Sequence, residues 1–136
     1  MDESRQIESL VEAGKAAMRH AYAPYSGFKV GAAVLGASGR IYTGCNVENA
    51  SYGLSVCAER AAISKAISEG EQAIQAIAIS NSSGKAAFPC GACLQVMAEF
   101  APAEETVNIY LVTDQGMETH TLAELLPHAF RLETRP

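Results

Sequence analysis

A chain of 136 residues, 49% hydrophobic and 18% charged, is long enough for one domain with its own apolar core and needs no disulfides to hold it. A formal net charge of −5 argues against a non-specific nucleic-acid binder, which needs a basic face to displace phosphate counterions, but is compatible with an uncharged nucleoside. No run of about 18 apolar residues predicts a membrane span, and the charged start Met1-Asp2-Glu3-Ser4-Arg5 is not followed by an apolar leader core.

The chain is therefore expected in the cytoplasm, where thiols stay reduced. Its four cysteines then point to metal binding or catalysis more than to disulfides.

In chain order, residues 4–20 read as a helix, with Ile7, Leu10, Val11, Gly14, Ala17 and Met18 along one face. Tyr22-Ala23-Pro24-Tyr25-Ser26-Gly27 breaks the pattern. Phe28 to Leu35 and Arg40 to Cys45 read as strands joined by a turn at Ala37-Ser38-Gly39. Residues 46–56 form a polar loop, and a helix is predicted from Cys57 to Glu69 with Gly70 as its stop. Ala73 to Ser80 reads as a buried strand and 81–85 as a loop. Cys90 to Phe100 reads as a helix entered from Pro89. Val107 to Thr113 is a strand, Asp114-Gln115-Gly116 a turn and Leu122 to Leu126 a short helix, with a loose end expected beyond.

The order helix, hairpin, helix, strand, helix, strand predicts one sheet covered by helices, an α/β (α+β layered) single domain over residues 1–136 without repeats or linkers.

Two short segments carry chemistry, and both sit where a polar loop enters a predicted helix. In Pro89-Cys90-Gly91-Ala92-Cys93, two thiols lie near exposed helix N–H groups, which favour thiolate, the form that zinc binds. Alone this segment also reads as a redox dithiol. Cys57-Ala58-Glu59-Arg60 shifts the balance, because Cys57 adds a third sulfur from another helix start. Three protein ligands leave the fourth tetrahedral position open, as catalytic zinc requires. Glu59, two residues on, is placed to serve that position as proton carrier without being a ligand. The combined pattern Cys57-x-Glu59-x29-Pro89-Cys90-x-x-Cys93 matches the zinc deaminase signature.

Zinc with three thiolates carries a formal charge of −1, so Arg60 is read as a donor to the ligand sulfurs, against the alternative of a surface ion pair. Cys45, at a strand end without paired spacing, is read as a buried inert thiol rather than a fourth ligand closing the site. His20, His120 and His128 have no ligand-like spacing and are read as surface or structural residues.

With Gly44-Cys45-Asn46-Val47-Glu48-Asn49-Ala50-Ser51-Tyr52 added to these segments, the chain resembles the cytidine deaminase family, in its small homotetrameric branch whose zinc is held by three cysteines. The resemblance runs from about Tyr22 to Phe130. It implies a five-stranded mixed sheet flanked by helices, one Zn2+ per subunit, and hydrolysis of cytidine and deoxycytidine to the uridines with release of ammonia.

By position, Phe28 matches the base-packing phenylalanine, Asn46 and Glu48 the pair that bonds the ribose 3′-hydroxyl, and Ala50 the residue whose backbone meets the pyrimidine edge. Tyr52 and Phe130 match aromatics that reach a neighbouring subunit's site. Read without the resemblance, Asn46 and Glu48 are a solvated turn, Phe28 is core packing and Phe130 is a packed tail residue.

Two positions depart from the family pattern. Leu94 stands where arginine is usual, which removes a cation near the metal helix or a subunit contact. Phe88 stands where a small hydroxyl residue is common, which reshapes the pocket near the leaving amine. Both bear on substrate choice, so the alternative substrate is an N4-substituted cytidine or a blasticidin S-like nucleoside. The Asn46-x-Glu48 pair argues against the latter, which lacks an ordinary ribose. A zinc-stabilised binding module and a dithiol oxidoreductase are the readings from other classes. Glu59 argues against the first and Cys57 against the second.

Overall fold

The computed structural model describes residues 2–102 and 106–132. The loose end expected at the C-terminus lies for the most part, residues 133–136, outside the described residues.

Helix α1 (Glu3–Met18) is capped by Asp2, whose carboxylate accepts from Arg5 N at 3.0 Å. Strands β1 (Val30–Gly36) and β2 (Ile41–Cys45) form the hairpin. A 3-10 turn at Tyr52–Leu54 interrupts the polar loop before α2 (Ala58–Ser68). Then come β3 (Ile74–Asn81), α3 (Gly91–Glu99), β4 (Asn108–Thr113), β5 (Gly116–Thr121) and the single turn α4 (Leu122–Leu125).

The five strands form one mixed sheet in the order β2-β1-β3-β4-β5. Only β3 and β4 run parallel, joined by the crossover through α3. Both faces of the sheet are covered, which is why β1 is wholly apolar and β3 is buried at all but Gln75. The period of two divides their side chains between two cores. Ala32, Val34, Ile77 and Ile79 face α2 and α3, together with Ile109 and Leu111 of β4. Ala33, Leu35, Ala76 and Ala78 face α1 around Leu10.

Strand β5 was not expected from the pattern of its own residues, although a five-stranded sheet was. Gly116-Met117-Glu118-Thr119-His120-Thr121 lacks apolar alternation because it is an exposed edge strand, half of whose backbone faces no partner. Edge strands carry charged and polar side chains for that reason. Three element starts near the site differ from expectation. Phe28 lies outside β1, and both Cys57 and Cys90 stand just before their helices as N-caps.

The approach of α2 to the sheet depends on a missing side chain. A Cβ at Gly44 would stand 2.5 Å from Ala62 N and 2.8 Å from Ala58 O. Gly44→Ala therefore pushes α2 off β2, with an expected loss of about 1–3 kcal/mol in unfolding free energy, measurable by urea titration. A loss below about 0.5 kcal/mol would mean that α2 yields without cost.

Candidate active site

The site lies where α2 and α3 begin. Both helices pack on the same face of the sheet, so their N-termini come together. Cys57 and Cys90 have the extended backbone of N-cap residues. Cys90 Sγ takes the usual place of a capping oxygen and accepts from Cys93 N at 3.4 Å. The sulfurs of Cys57, Cys90 and Cys93 all lie within 4.8 Å of one another, and those of Cys90 and Cys93 are 3.4 Å apart. A tetrahedral zinc with Zn–S bonds of about 2.3 Å needs sulfurs about 3.8 Å apart, so this donor set fits the metal in number, type and spacing.

Electrostatics point the same way. Burial raises the Cys90 thiol, but the Cys93 N–H and the Cys93 thiol bring it below its ordinary value overall. Burial, followed by the Glu59 carboxylate, pushes the Cys93 thiol far up. A cation among the three sulfurs would supply the positive charge that thiolates there need. Arg60 supplies part of that charge, since its Nη2 donates to Cys57 Sγ at 3.6 Å. The reading of Arg60 as a sulfur donor thus matches its geometry, and it forms no surface ion pair among the described residues.

Two acids are buried among the described residues, and they differ instructively. Glu71 accepts from Ser38 N, Ser38 Oγ and Tyr42 OH, which lowers its pKa and makes it part of the hairpin scaffold. Glu59, 6% exposed, has its pKa raised by burial, offset in part by its own backbone N–H and by the charge of Arg60. A carboxyl whose pKa is raised by burial beside a metal-competent cluster is suited to taking and returning a proton.

These groups open into a cleft of about 300 Å³. Phe28, Asn46, Glu48, Cys57, Glu59, Phe88 and Cys90 line it, with Val30, Ser55, Val56, Ala58, Ile79 and Ala87 between them. It is mostly apolar with a few convergent polar groups, the usual character of a small-molecule site. Phe28 is 39% exposed and stands in the cleft, so core packing is corrected as its reading.

Asn46 and Glu48 are not a solvated turn. Asn46 Oδ1 accepts from Val30 N at 2.9 Å, and its Nδ2 donates to Phe28 O at 2.8 Å. The Glu48 carboxylate accepts from Tyr25 N at 3.0 Å, from Ser26 N at 3.1 Å and from Ser26 Oγ. Both therefore hold the 25–30 segment that carries Phe28.

The remaining expected residues are not on this cleft within the chain. Ala50 is exposed on the loop that Asn49 ties to Ser51 and Ser55. Tyr52, 79% exposed, borders an adjoining hollow with Tyr25, Ser26, Glu48 and Ser55. Phe130 is also exposed, and its carbonyl accepts from Gln95 Nε2 at 2.7 Å. Cys45 is half-buried rather than buried and lies outside the sulfur cluster. Leu94 is buried in the core beneath α3, where an arginine would be stranded. His120 packs against Phe88.

Reading the sequence alone missed Val30, Ser55, Val56, Ala58, Ile79 and Ala87 as lining residues. The alternation of β1 and β3, which turns Val30 and Ile79 to the α2 and α3 side, was a signal available for two of them.

Residues 4–109 match the family described as the cytidine and deoxycytidylate deaminase zinc-binding region. The chain is 46% identical to a cytidine deaminase of Halalkalibacterium halodurans over 134 residues, 98% of this chain and 97% of that one. It is 44% identical to a cytidine deaminase of Sporosarcina psychrophila over 93% of each chain. Among solved structures, the cytidine deaminase of Burkholderia pseudomallei superposes with a TM-score of 0.83 at 44% identity, covering 96% of this chain and all of that one.

Proposed function

Because the chain belongs to the cytidine and deoxycytidylate deaminase family, we propose that it hydrolyses cytidine and deoxycytidine to uridine and deoxyuridine with release of ammonia. The observation that carries this reading is the buried Glu59 beside three clustered sulfurs at the floor of a largely apolar cleft.

Cys57, Cys90 and Cys93 hold one Zn2+ per subunit, and Arg60 donates to the cluster and offsets its negative charge. When bound, zinc supplies Lewis acidity, lowering the pKa of water toward about 7. Glu59 accepts one proton of the attacking water and delivers it to N3 of the pyrimidine, then takes the second from the hydroxyl now on C4 and gives it to the departing amine, which leaves as ammonia. Phe28 packs on the base. Asn46 and Glu48 bond the ribose 3′-hydroxyl while bracing the loop beneath it, and the backbone at Ala50 meets the pyrimidine edge. Tyr52 and Phe130 reach the site of a neighbouring subunit in a homotetramer. Their exposure on the single chain supports that role. The whole of residues 1–136 acts as a single cytoplasmic domain.

A substrate panel tests the reading. Zinc-loaded protein is expected to release ammonia from cytidine and deoxycytidine, and poorly from CMP. Among the described residues, Glu48 and Glu59 are the only charged side chains lining the cleft, apart from whatever charge its cysteine sulfurs carry, and no described lysine or arginine lines it to receive a phosphate. Ammonia from neither nucleoside would overturn the assignment. The N4-substituted cytidines belong in the same panel, since Phe88 lines the cleft.

A further inference from the structure

Phe88 is 55% exposed, yet its ring is not loose. It packs at 57° against the His120 imidazole, with ring centroids 5.1 Å apart. His120 is in turn held on β5, with Nε2 3.1 Å from Glu118 Oε1 and Nδ1 3.8 Å from Glu124 Oε2. A side chain that is braced from the sheet edge and left bare toward a cleft behaves as a fixed wall. The wall stands two residues before Cys90, at the end of the cleft that also holds Cys57 and Glu59.

On the deaminase reading above, the carbon attacked and the nitrogen released lie at that end. Phe88 lines the cleft together with Cys57, Glu59 and Cys90, so a braced phenyl there occupies space beside the exocyclic amine. We infer that Phe88, braced by His120, is a specificity-determining residue that limits the size of the group carried on the exocyclic nitrogen. The protein then accepts cytidine and rejects N4-alkylated cytidines by steric exclusion.

The test compares cytidine with N4-methylcytidine in the zinc-loaded protein and in its Phe88→Ala, Phe88→Tyr and His120→Ala variants. Phe88→Ala is expected to raise kcat/KM for N4-methylcytidine relative to cytidine by roughly tenfold or more, the scale on which one methyl group is discriminated in an apolar pocket. Phe88→Tyr keeps the discrimination of the parent, and His120→Ala falls between. Equilibrium binding gives a second readout: in a Glu59→Gln background, Phe88→Ala tightens N4-methylcytidine against cytidine by a similar factor.

An unchanged ratio overturns the inference. This holds whether both substrates lose equally, as simple stacking on the ring would produce, or whether only the assembly state changes in sedimentation, as a subunit contact would produce. Absence of cytidine turnover in the parent protein overturns the deaminase reading, and this inference with it. Cytidine turnover with an unmoved ratio overturns this inference alone.

Discussion

Glu59→Gln is expected to lower kcat/KM for cytidine by roughly 10²–10⁴-fold, the range attributable to one positioned acid–base group, with zinc content and urea unfolding close to those of the parent. The substitution keeps the shape of the side chain and its place in the first turn of α2. What it removes is a carboxyl whose burial holds its pKa up, so that it can both accept and return a proton. Because Gln keeps the volume of the buried Glu59 side chain, and the Glu71 network, not Glu59, braces the hairpin, little stability should go with it. Activity within a few-fold of the parent, measured by loss of cytidine absorbance, would remove Glu59 from the proton path. A variant that loses zinc along with activity would instead make it part of the metal's support.

Stripping the metal is expected to abolish turnover, by on the order of 10³-fold or more, with recovery on adding zinc back. The loss corresponds to the several kcal/mol that a Lewis acid contributes to a charged transition state. Cys93→Ala should reproduce it without recovery, since Cys93 is the buried member of the set and no other described cysteine stands near enough to replace it. The same treatment separates the dithiol alternative. A thiol–disulfide enzyme built on Cys90 and Cys93 would keep reducing disulfides after chelation and after Cys57→Ser, whereas a zinc site loses its activity in both. Metal analysis alongside activity across a chelator titration decides the matter. Full turnover with less than a tenth of an equivalent of zinc would overturn the metal assignment.

The parts of this site that could be read from sequence are those dictated by local rules. A thiol opening an Ala-rich segment and another following Pro89 implied helix starts, and Cys57 and Cys90 do stand at N-caps. The apolar runs of β1 and β3 announced buried strands, because a strand covered on both faces has no need of alternation.

What escaped depends on position in space. The residues of β5 read as nothing because an edge strand's sequence answers to solvent. Leu94 looked like a lost charge near the metal until the helix phase placed it in the core. Glu48 looked like a solvated turn residue because its three donors lie 22 and 23 residues back along the chain. The bracing of Phe88 by His120 joins residues on separate elements with no shared motif, and only the folded sheet brings them to 5.1 Å.

The Asn46 and Glu48 contacts have a consequence for which changes this cleft tolerates. Of the five donors and acceptors they engage, four are backbone groups of residues 25–30, and the fifth is the Ser26 hydroxyl. Any residue but proline can offer a backbone N–H, so the identity of residue 25 is nearly free as far as these bonds go. Positions 46 and 48 have no such latitude, because one must both give and receive and the other must receive several times. Drift along this wall is therefore lopsided: residue 25 can vary as far as these bonds go, while Asn46 and Glu48 hold constant the outline of the 25–30 segment that carries Phe28.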